Sequence, residues 1–159
     1  MRVGIGYDIH PLIEGRPLIL GGTKIAYERG LGGYSDADVL AHAIIDSLLG
    51  AASMRDIGTH FPDDDPRYKD IPSTKLLEDT GVKLSNGGFR ILNIDATIVC
   101  EAPRLADYID KMINNISGAL QIDRGLVSVK ASSSNSVGPL GKGEGIAAYA
   151  VALINEERD

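Results

Sequence analysis

Two histidines and a carboxylate occur where folding could bring them together. Asp8-Ile9-His10 lies near the N-terminus, and in an extended chain its first and third side chains share one face. His42 lies in the stretch from Ser35 to Gly50, read as one helix in which Asp38, His42 and Asp46 recur every fourth residue and form a polar stripe. Taken alone, the stripe is what the wet side of a helix looks like. Together, Asp8, His10 and His42 are ligand types that zinc takes, and three protein ligands instead of four leave a position for substrate or water. That pattern predicts a catalytic metal centre. His60, the remaining histidine, is left outside it.

A second set has the chemistry of a phosphate cradle. Ser132-Ser133-Ser134-Asn135-Ser136 runs into Gly138-Pro139-Leu140-Gly141-Lys142-Gly143, which supplies short hydroxyls and glycine amides, with Lys130 and Lys142 as cations. An ordinary polar hairpin carries the same parts. Between Ala51 and Pro72, Asp56-Ile57-Gly58 and Phe61-Pro62-Asp63-Asp64-Asp65-Pro66 form an acidic, proline-broken stretch expected to lack regular structure. Long ordered loops are more often functional than not, with a solvated acidic turn as the competing reading.

The elements that must position these groups follow from periodicity. Val3, Ile5 and Tyr7 alternate with Arg2, Gly4 and Gly6, a strand that delivers Asp8 and His10 at its end. Residues 17–20 and 23–26 read as a hairpin across Gly21-Gly22, followed by a glycine-rich loop from Glu28 to Tyr34. The helix bearing His42 is expected to cap at Ser35 or Asp36 and to bury Val39, Leu40, Ala43, Ile44, Ile45, Leu48 and Leu49. Ser73 to Leu84 reads as a short helix. In the strand from Phe89 to Cys100, Leu92, Ile94, Ala96, Ile98 and Cys100 are expected to face one way. Pro103 suits the first turn of an amphipathic helix carrying Leu105, Ile109, Met112, Ile113, Ile116 and Leu120. Val127, Val129 and Ala131 alternate in a further strand. The stretch from Ile146 to Ile154 is apolar on both faces, so it needs two covers: the chain's own helices and another subunit. These elements predict an α/β (α+β) two-layer sandwich, a mixed four-stranded sheet with helices on one face, oligomerising through the other.

Composition bounds the partners. The chain has 159 residues, read as one unit over 1–159. A net charge of −6 argues against a nucleic-acid or anionic-membrane surface and for a small-molecule partner. Cys100, the single cysteine, has no intrachain disulfide partner, and the N-terminus carries no basic and apolar leader, which together predict a cytoplasmic setting. The richest apolar run is too short to span a bilayer.

Arg2-Val3-Gly4-Ile5-Gly6-Tyr7-Asp8-Ile9-His10, Ser35-Asp36-Ala37-Asp38-Val39-Leu40-Ala41-His42, Asp56-Ile57-Gly58, Phe61-Pro62-Asp63-Asp64-Asp65 and Gly141-Lys142-Gly143-Glu144-Gly145 occur in this order from end to end. In these motifs the chain resembles the 2-C-methyl-D-erythritol 2,4-cyclodiphosphate synthases of the non-mevalonate isoprenoid pathway. The resemblance implies a homotrimer with the sheets at its core and active sites between subunits. It also implies an intramolecular phosphoryl transfer on 4-diphosphocytidyl-2-C-methyl-D-erythritol 2-phosphate that releases CMP. Carried over by motif, Asp8, His10 and His42 are zinc ligands, and magnesium or manganese binds with the substrate diphosphate. Asp8, Ile9, His10, Tyr34, Ser35, Asp46, Asp56, Ile57, Gly58, Phe61, Pro62, Asp63, Asp64 and Asp65 match substrate-contact positions, among which the 56–58 and 61–65 segments hold the ribose and methylerythritol ends. Cys100, Ala102, Pro103, Arg104, Leu105, Ala106, Ala131, Ser132, Ser133, Ser134 and Asn135 match the segments around the cytidine and its diphosphate; Pro139 and Lys142 are two further contacts. Tyr34 and Ser133 stand at catalytic positions. The chain departs from the family pattern at Tyr34 for His, Asn135 for Glu and Lys142 for Arg. A metal-dependent phosphohydrolase and a non-catalytic trimer binding nucleotide or isoprenoid diphosphate are the alternative readings.

Overall fold

The structure, a computed structural model, describes residues 1–157. Residues 158 and 159 of the expected 1–159 unit lie outside the described residues. In chain order the elements are β1 (Arg2–Ile13), β2 (Leu18–Leu20), β3 (Thr23–Ile25), β4 (Gly30–Leu31), α1 (Val39–Ala51), α2 (Ile57–His60), α3 (Ser73–Asn86), β5 (Phe89–Val99), α4 (Ile109–Leu120), β6 (Val127–Ser132), α5 (Gly138–Gly141) and β7 (Gly145–Glu156).

The main sheet has the order β4-β1-β7-β5-β6, mixed because β5 and β6 run parallel while the other pairs are antiparallel. It has five strands, not four. Leu31 and Gly30, inside the expected glycine-rich loop, pair with Leu12 and Ile13 and add a short edge. The expected hairpin forms as β2 and β3 in a separate two-stranded sheet.

Alternation along each strand sorts the two faces. On β7, Ile146, Ala148, Ala150, Ala152 and Ile154 are buried under the helical layer, while Tyr149 and Val151 point to the opposite face. Val3, Ile5, Tyr7 and Ile9 of β1 share that face, and Ile5 is 72% exposed. Tyr7 and Tyr149 are register partners whose rings lie 4.8 Å apart. The apolar character of the Ile146 to Ile154 stretch on both sides is therefore real, but Ala148 and Ala150 belong to the chain's own core.

Three boundaries differ from expectation. The residues from Ser35 to Asp38 are a turn, not helix: Ala37 is left-handed (φ 57°), and the helix starts at Val39 with Asp38 as its cap. Asp38 is fully buried, so the polar stripe does not run along a wet side. In β5 a bulge between Ile91 and Asn93 lets Ile91 take the core position expected for Leu92. Pro103 follows a cis bond and precedes α4, whose first residue is Ile109. The acidic stretch is also more regular than expected, holding α2 and a 3₁₀ turn at Pro66–Tyr68.

Candidate metal centre and substrate cleft

The approach of α1 to β1 creates the first half of the site. Gly4 and Gly6 point at the helix, and a Cβ on Gly6 would lie 1.8 Å from the Ala43 carbonyl oxygen. With no side chain between them, helix and strand backbones touch, and His42 is brought beside Asp8 two residues further along β1. The helix is anchored at its start by the buried Asp38 carboxylate, which accepts the Gly21, Gly22 and Ala41 N–H groups at 2.9, 2.7 and 3.1 Å. Burial and the neighbouring Asp36 charge push Asp38 up to about 6, against the pull of those three donors.

Asp8 Oδ2 lies 2.8 Å from His10 Nε2 and 3.0 Å from His42 Nδ1, and the two ring nitrogens are 3.3 Å apart. All three side chains are partly buried. The far nitrogens decide what these atoms present. His10 Nδ1 is 2.8 Å from the Gly32 carbonyl, which only accepts, so the proton sits on Nδ1 and Nε2 carries the lone pair. His42 Nε2 is 2.9 Å from Ser73 Oγ, which in turn donates to Asp36 Oδ1 at 2.5 Å. Ser73 has one proton and spends it on Asp36, so His42 Nε2 must donate and Nδ1 carries the lone pair. Ser35 Oγ, 3.2 Å from the same nitrogen, accepts from the Ala37 N–H.

Three lone pairs thus converge with no proton between them. A proton on one ring answers this in part: burial disfavours the charged imidazole of His10, but Asp8 outweighs it and raises the pKa. Asp8 is shifted the other way, since hydrogen bonds and charge from both histidines overcome burial and hold its carboxyl well below the usual range. A divalent cation answers it for all three. A tetrahedral ion with bonds of about 2.0–2.1 Å has ligand atoms roughly 3.3 Å apart, close to the triangle found here. The far-side hydrogen bonds are the kind that orient ligating histidines.

The remaining expected residues fall in distinct places. Ile9 points to the open sheet face, away from Asp8 and His10. Tyr34 is half-exposed, its backbone held by Arg16, which donates to the Gly33 and Ser35 carbonyls, and by the Asp70 N–H on its own carbonyl. Asp46 accepts the Ile57 N–H at 2.8 Å, and burial raises its carboxyl. Asp56 caps α2 through the Thr59 N–H, leaving Gly58 on that short helix. Phe61 is a core residue with its ring edge-on to Tyr68. Pro62 is partly buried, Asp63 and Asp64 are exposed, and Asp65 pairs with Arg67.

Apart from the trio, a cleft of about 670 Å³ is lined by Cys100, Pro103, Arg104, Leu105, Ala106, Ala131, Ser132 and Ser133, gathering most of the two expected segments. Ala102, Ser134 and Asn135 are not among its lining residues, nor are Pro139 and Lys142, on and just after α5. Glu101, within the expected 100–106 segment but not singled out as a contact, also lines it, as do Ile109 and Asp110, which were not expected. Burial, with the Glu101 charge, pushes the Cys100 thiol up to about 11, so it is a neutral wall group.

Both halves lie at one end of the sheet. The register aligns Asp8 with Ala148, Ala148 with Ile98 and Ile98 with Ala131. The ligand trio and the cleft of one chain are therefore three strand spacings apart, roughly 14 Å, and are not merged. Sequence reasoning missed Asp36, Ser73, Arg16 and Glu101, since their partners are fixed only by the tertiary fold. Only Ser73, following Pro72 at a helix start, carried a local signal.

Fold and trio define a class: a two-layer α+β chain with a group of ligands able to hold a divalent metal at the end of its sheet. The YgbB family model matches residues 1–155, and the chain belongs to that family. The 2-C-methyl-D-erythritol 2,4-cyclodiphosphate synthase of Pelotomaculum thermopropionicum is 56% identical over 98% of this chain and 96% of its own. The bifunctional IspDF of Campylobacter jejuni matches with a TM-score of 0.94 and 36% identity over 98% of this chain, which spans 42% of that longer one. The IspF–CDP complex from Plasmodium falciparum matches with a TM-score of 0.85 and 32% identity, over 99% of this chain and 97% of its own. Among the described residues no helix is long and apolar enough to cross a membrane.

Proposed function

We propose that the chain converts 4-diphosphocytidyl-2-C-methyl-D-erythritol 2-phosphate to 2-C-methyl-D-erythritol 2,4-cyclodiphosphate and CMP. An oxygen of the 2-phosphate forms a bond to the β-phosphorus; the bond from that phosphorus to the bridging oxygen breaks, and CMP leaves with the oxygen. The observation that carries this reading is the convergence of three lone pairs from Asp8, His10 and His42, together with a cleft at the same end of the sheet.

Asp8, His10 and His42 would hold zinc, and magnesium or manganese would enter with the diphosphate; bound there, such ions supply Lewis-acid charge to the phosphate oxygens. The chain's own groups orient and shield. The Ser133 hydroxyl and nearby amides donate to phosphate oxygens, Lys142 offers a cation, and Tyr34 O–H donates without carrying charge. The walls formed by Cys100, Pro103, Leu105 and Ala106 receive the cytosine and exclude water from the reacting phosphates. Tethering of nucleophile to electrophile supplies the proximity.

The chain acts as a homotrimer, a single domain in each subunit, in the cytoplasm. Support comes from the apolar face of Val3, Ile5, Tyr7, Ile9, Tyr149 and Val151, and from the roughly 14 Å between trio and cleft, which a neighbouring subunit's cleft would close. Phosphorus NMR of a reaction with zinc and magnesium tests the function. Equimolar CMP and cyclic diphosphate is the expected result. Inorganic phosphate would mean a phosphohydrolase, and bound but unconverted substrate a binding protein.

A further inference from the structure

We propose that Glu101 is a positioning residue whose carboxylate holds the turn from Ser133 to Ser136 in the shape that presents Ser133 and its neighbouring amides to the diphosphate. This rests on the reading of the cleft as the cytidine diphosphate site. Glu101 immediately follows Cys100 at the end of the β5 side of the cleft, whereas the turn follows β6 on the other side, so the carboxylate bridges the two walls. One oxygen, Oε1, takes the Ser134 N–H at 2.8 Å, the Ser134 hydroxyl at 3.1 Å and the Ser136 N–H at 3.3 Å.

The turn needs such a hold. Asn135 (φ 52°) and Ser136 (φ 62°) are consecutive left-handed residues, neither of them glycine, a conformation a free loop leaves. Gly141 of α5 lies directly beneath, where a Cβ would sit 2.2 Å from the Ser136 carbonyl carbon, so the turn is pressed between helix and carboxylate. Within it the Ser133 hydroxyl reaches Asn135 Oδ1 and the Asn135 N–H reaches Ser133 Oγ, both at 3.3 Å. Without the Glu101 acceptor, the backbone of Asn135 and Ser136 relaxes and Ser133 loses its aim. The donors also explain why the Glu101 carboxyl is held low: the Ser136 N–H first, then Ser134.

The test compares Glu101→Ala, Glu101→Gln and the double variant Glu101→Ala with Ser136→Gly in the zinc-loaded protein. Glu101→Ala is expected to weaken CDP binding about tenfold by calorimetry and to lower kcat, with zinc affinity unchanged. Glu101→Gln keeps an acceptor at Oε1 and stays within about threefold of the parent. Ser136→Gly, which frees the left-handed position, recovers part of the loss in the double variant. Equal damage from Gln and Ala, or no recovery with glycine, overturns the positioning role. Should the unmodified protein fail to bind CDP, the functional reading falls. Hydrogen exchange still decides the clamp, because Ser134 and Ser136 amides that exchange no faster in Glu101→Ala overturn it.

Discussion

Gly6→Ala separates packing from metal binding. The added Cβ would meet the Ala43 carbonyl oxygen at 1.8 Å and the Ser47 nitrogen at 2.7 Å, both helix backbone with nowhere to rotate. Restoring an ordinary contact requires α1 to retreat by about 1.5 Å. Ala43 is next to His42, so the retreat falls on a ligand whose Nδ1 is now 3.0 Å from Asp8 Oδ2, whereas metal–ligand distances tolerate only about 0.2 Å. Overpacking of this kind costs about 1–3 kcal/mol of stability, which the fold survives. Zinc affinity is expected to fall at least about a hundredfold, measured by competition with a fluorescent chelator, alongside thermal unfolding of the metal-free protein. Gly4→Ala is the control. Its Cβ would meet the Ser47 carbonyl oxygen at 2.1 Å, further down the helix from His42, so it should destabilise the fold similarly but weaken zinc no more than about tenfold. If Gly6→Ala binds zinc as the parent does, or the two glycines affect zinc alike, the account of how His42 is placed is wrong.

Ser73→Ala removes the nearer of the two hydroxyl acceptors facing His42 Nε2, so zinc should bind about tenfold more weakly, and the nitrogen-15 spectrum of the metal-free protein should show His42 with a weakened preference for the Nε2 proton. Val151→Asp puts a charge on the open sheet face and should shift sedimentation from the proposed trimer to monomer, whereas Ala148→Asp should unfold the chain because Ala148 is fully buried. Asn135→Glu gives any ion on the diphosphate a full negative charge and should lower the magnesium concentration for half-maximal activity roughly tenfold. The left-handed backbone at 135 suits Asn better than Glu, so that variant should also melt slightly earlier.

Strand β1 was legible because its two periodicities agree: odd positions are apolar, and the even ones are glycines followed by Asp8 and His10. The start of α1 was not, since Ser35, Asp36 and Asp38 are all good caps and only burial against the Gly21-Gly22 turn selects the last. The bulge in β5 hides in a run where Ile91 and Leu92 are equally apolar, so pattern alone cannot tell which enters the core. Glycine-rich β4 escaped notice because two residues of edge pairing leave no period. Within the site, the metal-type trio stood out because its residue types are few and chemically specific. Ser73 and Glu101 did not, because serine and glutamate are common and their roles depend on atoms 31 and 33 residues away in the chain.

The sheet's register also fixes where the chain can be cut and rejoined. Arg2 pairs with Ile154, and Phe89 with Glu156, so β1 begins and β7 finishes side by side at the end of the sheet opposite the ligand trio and the cleft. A new opening at the turn of Gly87 and Gly88, at that same far end, would leave the cleft walls and α1 untouched. Chain joined before Arg2 or after Glu156 would leave the sheet at that end, clear of both the ligand trio and the cleft.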